Sequence, residues 1–535
     1  MNHNLVILCS VLFLLFSLTT SSQPLEIDNR FGDEGIVNLD LVRRDNIASV
    51  LTQKDNKIVC SLSNVDFFRL ARLYPDGMMD RDFGNEGVTM ADFKEQYTYC
   101  RNVALHADGR LTVVGYVQDS LESLHAALAQ FLPDGTLNMD FGNNGKITTK
   151  SRLPSATGLD IAVQVDGKIL IVGKQSYEDY GNEDFIVLRF EENGTIDEKF
   201  GVEGIVTTSF GGTFESAKFI KLQSDGKILV GGYSTQPTSD LDFAIARYNT
   251  NGQLDDTYGE SGKVVIDFNE GYDSPHDMII QSDGKLLLCG STTEKWKSKA
   301  DIGMVRLQTD GTLDETFGHQ GKVVTESSGS SNVVFQRNER PFSFIQTPEK
   351  KILVAGRIFT GNIFNGRSFL AQYTEAGVLD KDFGDNGIYI DNENDAKDKF
   401  LDLLSLQPDG KILYVGTTSK DEQFFDTDIY IIRYAMDSEL STSVATPAQY
   451  DLSVYPNPAS YHLAVTYTLK QTKVMTIQLV DAMGRTVETI VDQAVQPPAN
   501  YNYPIRLSDR LENGVYLLKF STSDEAIFKK VIVVR

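Results

Sequence analysis

The sequence predicts an all-β protein, in which a ring of repeated sheets precedes a small sandwich domain, and three observations lead to this prediction. The pattern Phe-Gly-x-x-Gly, followed by a β-branched run, recurs seven times, with Tyr in place of Phe once. The copies lie 52, 58, 59, 58, 59 and 66 residues apart, a period typical of propellers, solenoids and arrays. Beyond residue 437 the repeats stop and the composition changes. The aromatic residues of the copies are Phe31, Phe83, Phe141, Phe200, Tyr258, Phe317 and Phe383.

The N-terminus has the composition of a secretory signal peptide, which we place at residues 1–22. Residues 5–18 are apolar, and Thr20-Ser21-Ser22 offers small residues before a cut near Gln23. No later stretch has the 18 or more apolar residues that a membrane span needs. We therefore expect an exported mature chain with no transmembrane segment.

Charge and cysteine content exclude several classes of partner and scaffold. The formal net charge of −24 disfavours contact with nucleic acid or anionic lipid, since both require clustered Lys and Arg. Three cysteines remain after the signal peptide: Cys60, Cys100 and Cys289. An odd number in so long a chain argues against a disulfide framework.

The fifth unit shows most clearly that each unit contains four short strands. We predict them at 263–268, 277–281, 285–289 and 303–308, because these stretches are β-branched or alternating and none has a helical period. Four consecutive antiparallel strands form one propeller blade. We therefore expect each unit to supply one blade.

A short turn separates the second and third strands of each unit. It is Asp-Gly-Lys at 166–168, 225–227, 283–285 and 409–411, and Asp-Gly-Arg at 108–110. Such a pair between apolar runs predicts a tight hairpin, because Gly adopts positive φ without a Cβ clash. Units one and six differ, with Asn56 and Lys350 at the Gly position. Because Lys tolerates the left-handed region poorly, we expect the sixth hairpin to be longer or differently turned.

Strand four of most units carries an Arg on its apolar face. Arg247, for example, shares a strand face with Phe243 and Ile245. An Arg in this position is partly buried and needs a partner, for which the repeated Asp residues are candidates.

These residues resemble the delta-60 repeat family, whose pattern is similar to Asp-Gly-x-Leu-Asp-x-x-Phe-Gly-x-x-Gly with a later Gln-x-Asp-Gly-Lys-Ile-Leu-x-x-Gly. The segment 223–232 is close to this pattern, and the resemblance covers residues 25–437. It implies β-propeller blades and says little about activity.

The two ends of the repeat region are complementary fragments of one unit. The first begins inside the linker that precedes Phe31, and the last stops just after Arg433-Tyr434, where the other units continue into that linker. Joined head to tail, they complete one more copy. We therefore predict a closed, seven-bladed β-propeller of about 60-residue repeats, because closure removes exposed strand edges.

The tail forms a second predicted domain. Residues 438–448 are a linker of mostly small and polar residues, and 449–535 contain strands at 463–469, 474–481, 514–520 and 526–534. Several short motifs resemble the type A sorting domain of the type IX secretion system. The resemblance implies a small immunoglobulin-like β-sandwich that engages the type IX secretion machinery and is usually removed as the protein is released or attached at the cell surface. The motif residues are Tyr455, Pro456, Asn457, Pro458, Gly514 and Lys530.

In an antiparallel blade, alternate connections emerge at opposite ends. The Asp-Gly-Lys hairpins and the Phe-Gly linkers therefore share one end of the ring, which we call the regular face. The remaining loops share the other end, the variable face, where we expect function because rigid scaffolds carry it on loops. Aromatic and basic residues of these loops could bind sugar rings and acidic groups, although each could also cap blade core. The candidate ligand-binding residues are Tyr177, Tyr180, Trp296, Phe364 and Arg367.

A search for catalytic motifs finds no His-Glu-x-x-His, Gly-x-Ser-x-Gly, phosphate loop or Cys-x-x-Cys. The acidic run 391–395 lacks the Gly and Glu of a calcium-binding EF-hand loop, so we predict no metal, cofactor or catalytic residue. The leading hypothesis is a non-catalytic binding or adhesion protein for a glycan or protein ligand. The alternatives are an extracellular enzyme acting on polysaccharide, which needs two converging carboxylates, and a purely structural envelope component.

Overall fold

The computed structural model describes residues 25–534, apart from 42–44, 64–65, 151, 154, 178–181, 236–239, 269, 296–298, 326–336, 361–365, 391–398, 420–425, 436–451, 456–458, 471, 481–485, 509–510, 512 and 523–525. The predicted signal peptide, the acidic run 391–395 and the predicted linker 438–448 lie outside the described residues. The chain folds as two compact units that divide between Ala435 and Met436.

The described part of the first unit consists of strands and turns, and no described helix is long and apolar enough to cross a membrane. In chain order the strands are β1 (Glu26–Ile27), β2 (Ile36–Leu39), β3 (Ile47–Thr52), β4 (Ile58–Ser63), β5 (Phe68–Leu73), β6 (Val88–Ala91), β7 (Tyr97–Leu105), β8 (Leu111–Gln118), β9 (Leu124–Phe131), β10 (Lys146–Thr148), β11 (Asp160–Val163), β12 (Ile169–Ser176), β13 (Glu183–Phe190), β14 (Ile205–Thr208), β15 (Glu215–Leu222), β16 (Ile228–Ser234), β17 (Asp242–Tyr248), β18 (Lys263–Ile266), β19 (Asp273–Ile280), β20 (Leu286–Thr293), β21 (Ala300–Leu307), β22 (Lys322–Thr325), β23 (Arg337–Gln346), β24 (Ile352–Thr360), β25 (Gly366–Tyr373), β26 (Ile388–Ile390), β27 (Lys399–Leu406), β28 (Ile412–Ser419) and β29 (Thr427–Ala435).

These strands form seven antiparallel sheets. Sheets 1 to 6 each contain four consecutive strands, starting with β3–β6 and ending with β23–β26. Sheet 7 contains β27, β28 and β29, completed by β2 and the short β1 from the N-terminus. The first strands of the sheets, β3, β7, β11, β15, β19, β23 and β27, pack side by side in this order, and β27 packs on β3. They form the wall of a central channel, and the predicted all-β propeller is confirmed.

The prediction that one sequence unit supplies one blade is wrong by one strand. Strand β18, which follows the Phe-Gly motif of Tyr258, pairs with β17 of the preceding unit. Each sheet therefore combines the last three strands of one unit with the first strand of the next. The Phe-Gly linker is a hairpin within one sheet, because its own hydrogen bonds, such as Gly262 N–H to the Tyr258 carbonyl at 2.8 Å, turn the chain back beside the strand it left.

The Asp-Gly-Lys turns have one common geometry. In sheet 5, Gly284 N–H donates to the Gln281 carbonyl at 2.9 Å, and Gln281 N–H donates to the Lys285 carbonyl at 2.8 Å. Only the Gly position has positive φ, +84° at Gly284. The predicted exception in unit six is wrong: Lys350 adopts φ 64° and makes the same bond, to the Thr347 carbonyl at 2.8 Å. The fixed hairpin frame overrides the preference of Lys, at a cost of about 1–2 kcal/mol.

The ring closes by the same contacts that join its interior units. Asp28 N–H donates to the Arg433 carbonyl at 2.8 Å, and the Arg433 guanidinium contacts the Asp28 carboxylate at 2.9 Å. In sheet 3, Asp197 and Arg189 make the corresponding bonds, both 2.8 Å long. A hydrophobic cluster then joins sheet 7 to sheet 1 through residues such as Ile431 and Cys60. The predicted head-to-tail completion is therefore present in the structure.

The described part of the C-terminal unit is a β-sandwich. Its two sheets enclose a shared core that includes Val465, Tyr467, Ile477, Leu518 and Phe520. The four predicted strands are present, and three more precede or separate them. The sheets have the orders β30-β31-β34 and β33-β32-β35-β36, with β30 (Ser453–Tyr455), β31 (His462–Leu469), β32 (Lys473–Val480), β33 (Thr486–Gln496), β34 (Ala499–Arg506), β35 (Gly514–Ser521) and β36 (Ala526–Val533).

Candidate functional site

The regular face is held by a repeated ion cluster. Arg189, buried in sheet 3, contacts the carboxylate of Asp197 at 2.8 Å, and Lys168 from the Asp-Gly-Lys hairpin contacts the same oxygen at 2.8 Å. Arg189 also donates to the Thr250 carbonyl in the next linker, at 2.5 Å, and lies 4.4 Å from the ring centre of Phe200. The predicted Arg–Asp pairing is thus observed. Equivalent pairs are Arg72–Asp80, Arg247–Asp255, Arg306–Asp314 and Arg433–Asp28.

Unit two replaces this charged pair with a neutral one. Gln130 stands at the Arg position and Asn138 at the Asp position, and the Asn138 amide donates to the Gln130 carbonyl oxygen at 2.6 Å. Arg110, at the hairpin Lys position, donates to the same oxygen at 3.2 Å. Both members of the pair change together, so no buried charge lacks a partner. The whole cluster is therefore explained by folding, and the regular face carries no candidate site.

The channel wall has an irregularity at a fixed position in its strands. The pairing register shifts by one residue in β3, β7, β15, β19, β23 and β27, and the extra residue leaves the hydrogen-bond ladder. It lies five residues before the residue whose carbonyl accepts the hairpin hydrogen bond, as His276 does before Gln281. The bulged residues are Ala48, Arg101, Lys218, His276, Phe342 and Asp402.

Basic residues converge in the channel, from the middle of its wall toward the variable face. Burial, Arg101 and Lys174 together lower the pKa of Lys218 to about 8. Arg101 and Lys218 are bulged residues of β7 and β15, the first strands of sheets 2 and 4, and therefore belong to the channel wall. Burial, Lys218 and Arg340 lower the pKa of His276 to about 4. We call Arg101, Lys174, Lys218, His276 and Arg340 the channel cluster.

Only some of these charges have acidic partners. Lys174 forms an ion pair with Glu183, while neighbouring Arg357 pairs with Asp402. Among the residues that the structure describes, Arg101, Lys218 and Arg340 form no salt bridge. Three cations that form no salt bridge among the described residues, on the channel wall of a chain with a formal charge of −24, are capable of binding an anionic group.

Aromatic rings accompany the cations. The rings of Tyr99 and Tyr116 stack at 4.9 Å, and the Tyr116 hydroxyl accepts a 2.7 Å hydrogen bond from Arg101. Lys218 lies 5.3 Å from the ring centre of Tyr233. Arg340 lies 5.7 Å from that of Phe359. The channel cluster therefore offers both charged donors and flat apolar faces.

The predicted loop residues are only partly described. Tyr177 is exposed, and its hydroxyl donates to the Asp184 carboxylate at 3.0 Å; burial and Asp184 raise its pKa to about 12. Arg367 is exposed in β25 and pairs in register with Ile358. Among the described residues, the Tyr177 hydroxyl thus contacts a carboxylate outside the channel cluster. Tyr180, Trp296 and Phe364 lie outside the described residues.

The predicted secretion motif is likewise partly described. Tyr455 ends β30 and is exposed, and Gly514 begins β35. Lys530 lies in β36, paired with Leu517. Pro456, Asn457 and Pro458 lie outside the described residues.

Carboxylates with raised pKa also occur toward the variable face, but they brace loops. Burial, with nearby Asp242 and Asp267, raises the pKa of Asp273 to about 7. Its two oxygens accept hydrogen bonds from Phe268 N–H at 2.7 Å and from the Thr292 hydroxyl at 2.6 Å. Asp45 and Glu215 receive the equivalent backbone bonds, from Leu41 and Phe210. Fully buried carboxylates that fasten backbone N–H groups do not form an open pair for hydrolysis.

Sequence reasoning missed the channel cluster because it searched the loops. The informative signal was the variation of residue type at the bulge position of the first strand, which is Ala48, Arg101, Lys218 or Asp402 in different units. Its neighbours repeat from unit to unit, since they build the sheet. A position that varies in charge inside a repeated strand marks a surface free from the demands of folding.

The fold and this channel define a β-propeller protein. Comparison with known families shows which families its two parts match. The profile described as "Domain of unknown function (DUF5122) beta-propeller" matches residues 106–141, 164–200, 223–258, 281–317 and 407–443. The profile described as "Secretion system C-terminal sorting domain" matches residues 453–534. The chain is a repeat β-propeller protein with a C-terminal sorting domain of the type IX secretion system. That domain marks it for export, to the cell surface or into the medium.

No curated protein sequence matches this chain. A catalytically inactive virginiamycin B lyase from Staphylococcus aureus is similar in structure, with a TM-score of 0.41 and 12% identity over 74% of this chain and 98% of the lyase. PorZ, a surface component of the type IX secretion system of Porphyromonas gingivalis, has a TM-score of 0.32 and 11% identity over 92% of this chain and 75% of its own. With TM-scores below 0.5, these likenesses carry no argument about ligand or reaction.

Proposed function

We propose that this protein is a secreted or cell-surface binding and adhesion module, without catalytic activity, that holds a glycan or protein ligand at the channel cluster. One observation carries the proposal. Arg101, Lys218 and Arg340 converge without a salt bridge among the described residues, in a chain of strongly negative charge. Holding like charges close together, as the lowered pKa of Lys218 indicates, costs folding free energy, and such a cost is typical of a binding site.

The five loop residues predicted from the sequence remain part of the proposal, as an outer rim on the variable face. They are Tyr177, Tyr180, Trp296, Phe364 and Arg367. Tyr and Trp supply flat contact area for sugar rings, and Arg supplies charged donors. We expect the rim at the variable face, toward which the channel cluster lies, so that one extended ligand could contact both.

The test is a glycan and protein array probed with the mature full-length protein and three variants. The double substitution Arg101→Ala, Lys218→Ala is expected to weaken binding by about 100-fold, since each charged hydrogen bond contributes about 1.5–3 kcal/mol. The matched control is Arg81→Ala, Lys381→Ala, which removes the same charge from exposed linker positions of the regular face and is expected to leave binding unchanged.

The third variant, Trp296→Ala with Phe364→Ala, tests the rim. Weaker binding supports the rim, and unchanged binding removes it from the site. Shortening of a bound polysaccharide by the wild-type protein would contradict the absence of catalysis. No binding to any glycan or protein of the array would contradict the proposal as a whole and favour a structural role.

A further inference from the structure

We propose that the channel cluster recognises an acidic polysaccharide, whose carboxylate or sulfate groups lie along an arc of cations on one side of the channel. This inference rests on the proposed binding function and narrows its ligand to one chemical class.

The arc follows from the order of the sheets around the ring. Arg101 belongs to sheet 2, Lys174 to sheet 3, Lys218 to sheet 4, His276 to sheet 5 and Arg340 to sheet 6. The cations of the arc are Arg101, Lys218 and Arg340, because Lys174 is paired with Glu183 and His276, with a pKa of about 4, is neutral at pH 7. Because the first strands pack side by side around the ring, Arg101 in β7, Lys218 in β15 and Arg340 in β23 lie on alternate sheets along one curved side of the channel.

The rest of the channel wall is different. Sheet 1 contributes the small Ala48 at its bulge, and sheet 7 contributes Asp402, which is neutralised by the guanidinium of Arg357. A ligand with negative charge is therefore held against one side of the channel. A row of cations on one side fits a linear polyanion better than it fits a single small anion.

The aromatic groups favour a polysaccharide among polyanions. Stacked Tyr99 and Tyr116 lie beside Arg101, and Phe342 lies 5.5 Å from His276, measured between ring centres. Flat rings beside charged donors suit sugar residues that carry acidic groups.

Protonation of Lys218 links recognition to pH. The charged groups that act on it are Arg101 and Lys174, both basic, and the carboxylate of Glu183. The neighbouring His276, whose pKa is lowered to about 4, is neutral in this pH range. Its pKa of about 8 means that the side chain is cationic below pH 8 and neutral above it. An anionic ligand beside Lys218 stabilises the cation and raises this pKa, so binding near pH 8–9 takes up a proton.

The experiment measures binding of the mature full-length protein to four polymers: polygalacturonate, dextran sulfate, neutral dextran and double-stranded DNA. We expect the carboxylated polymer, the sulfated polymer or both to bind, more weakly as salt is raised, and the neutral polymer and DNA not to bind. The two acidic polymers distinguish carboxylate from sulfate recognition. Between pH 7 and 9.5, affinity is expected to fall by about tenfold.

Lys218→Arg is the decisive variant, because an Arg side chain stays positively charged throughout pH 7 to 9.5. The fall in affinity above pH 8 should disappear in this variant, and Lys218→Ala should bind weakly at every pH. Binding of a neutral glycan or of a protein, if the Arg101→Ala, Lys218→Ala variant abolishes it, would overturn the ligand class but keep the proposed function. DNA binding equal to that of the acidic glycans would also overturn the ligand class. An unchanged pH profile in Lys218→Arg would overturn the role of Lys218.

Discussion

At the scale of single residues, the buried Arg of strand four joins three parts of the molecule. Arg306 contacts Asp314 of its own linker at 2.7 Å, donates to the Glu375 carbonyl of the next linker at 2.6 Å, and lies 4.7 Å from the ring centre of Phe317. Since charge, hydrogen bond and ring contact come from one side chain, the Arg fixes the linker against both its own sheet and its neighbour. This explains why the sequence predicted its partner correctly: a buried guanidinium with a repeated Asp nearby has few other solutions.

The neutral pair of unit two allows a test of this argument. Arg189→Gln leaves Asp197 buried with Lys168 alone and leaves the Thr250 carbonyl without its donor, so we expect the free energy of unfolding to fall by about 2–3 kcal/mol. Adding Asp197→Asn reproduces the Gln130–Asn138 pair and should restore at least half of the loss. Urea unfolding of both variants measures the difference. A double variant less stable than Arg189→Gln would contradict the view that the pair acts as a unit.

At the scale of elements, the repeat pattern predicted the number and type of strands but not the sheet to which each belongs. Local signals such as Asp283-Gly284 determine hairpins, and Gly284 has the expected positive φ. The Phe-Gly linker has no such tight-turn sequence, and its return to the strand it left depends on hydrogen bonds and on contacts with the next linker, such as Gly259 N–H to the Asp310 carbonyl at 2.8 Å. Contacts between units some 50 residues apart are not visible in a local pattern, and the same limit hid the convergence of Arg101 and Lys218.

Two glycines distinguish local strain from close packing. Gly201 of the Phe-Gly motif has φ +56°, and a Cβ there would lie 2.3 Å from the Ile205 carbonyl oxygen. Gly410 of a hairpin has φ +86°, but nothing lies within 4 Å of its Cβ position. We expect Gly410→Ala to cost about 1–2 kcal/mol, the price of the left-handed conformation alone. Gly201→Ala should cost at least about 2 kcal/mol more, because the backbone must move. Equal losses in thermal or urea unfolding would contradict the packing argument.

At the scale of the whole molecule, the channel cluster exists only because the ring closes. Arg101 and Arg340 lie far apart in the chain, and each acts on a neighbour supplied by another sheet. Closure in turn depends on β2, which adds the outer strand to sheet 7 and pairs Ile36 with Ile432. The head-to-tail fragments predicted this closure from sequence, since each lacks the part of the linker that the other provides.

Closure can be tested by comparing two Arg residues that occupy equivalent positions. Arg433 pairs with Asp28 across the closing point, and Arg306 pairs with Asp314 within the chain; each Asp has a second cation, Arg30 and Lys285 respectively. If the ring is closed in solution, Arg433→Gln and Arg306→Gln should each lower the free energy of unfolding by about 2–3 kcal/mol. Urea unfolding followed by tyrosine fluorescence provides the measurement. If Arg433→Gln lowers the free energy of unfolding only slightly while Arg306→Gln lowers it strongly, the two ends of the ring separate in solution. Binding at the channel cluster should then be weak in the same preparation, because the sheets that carry the cluster are no longer held in register.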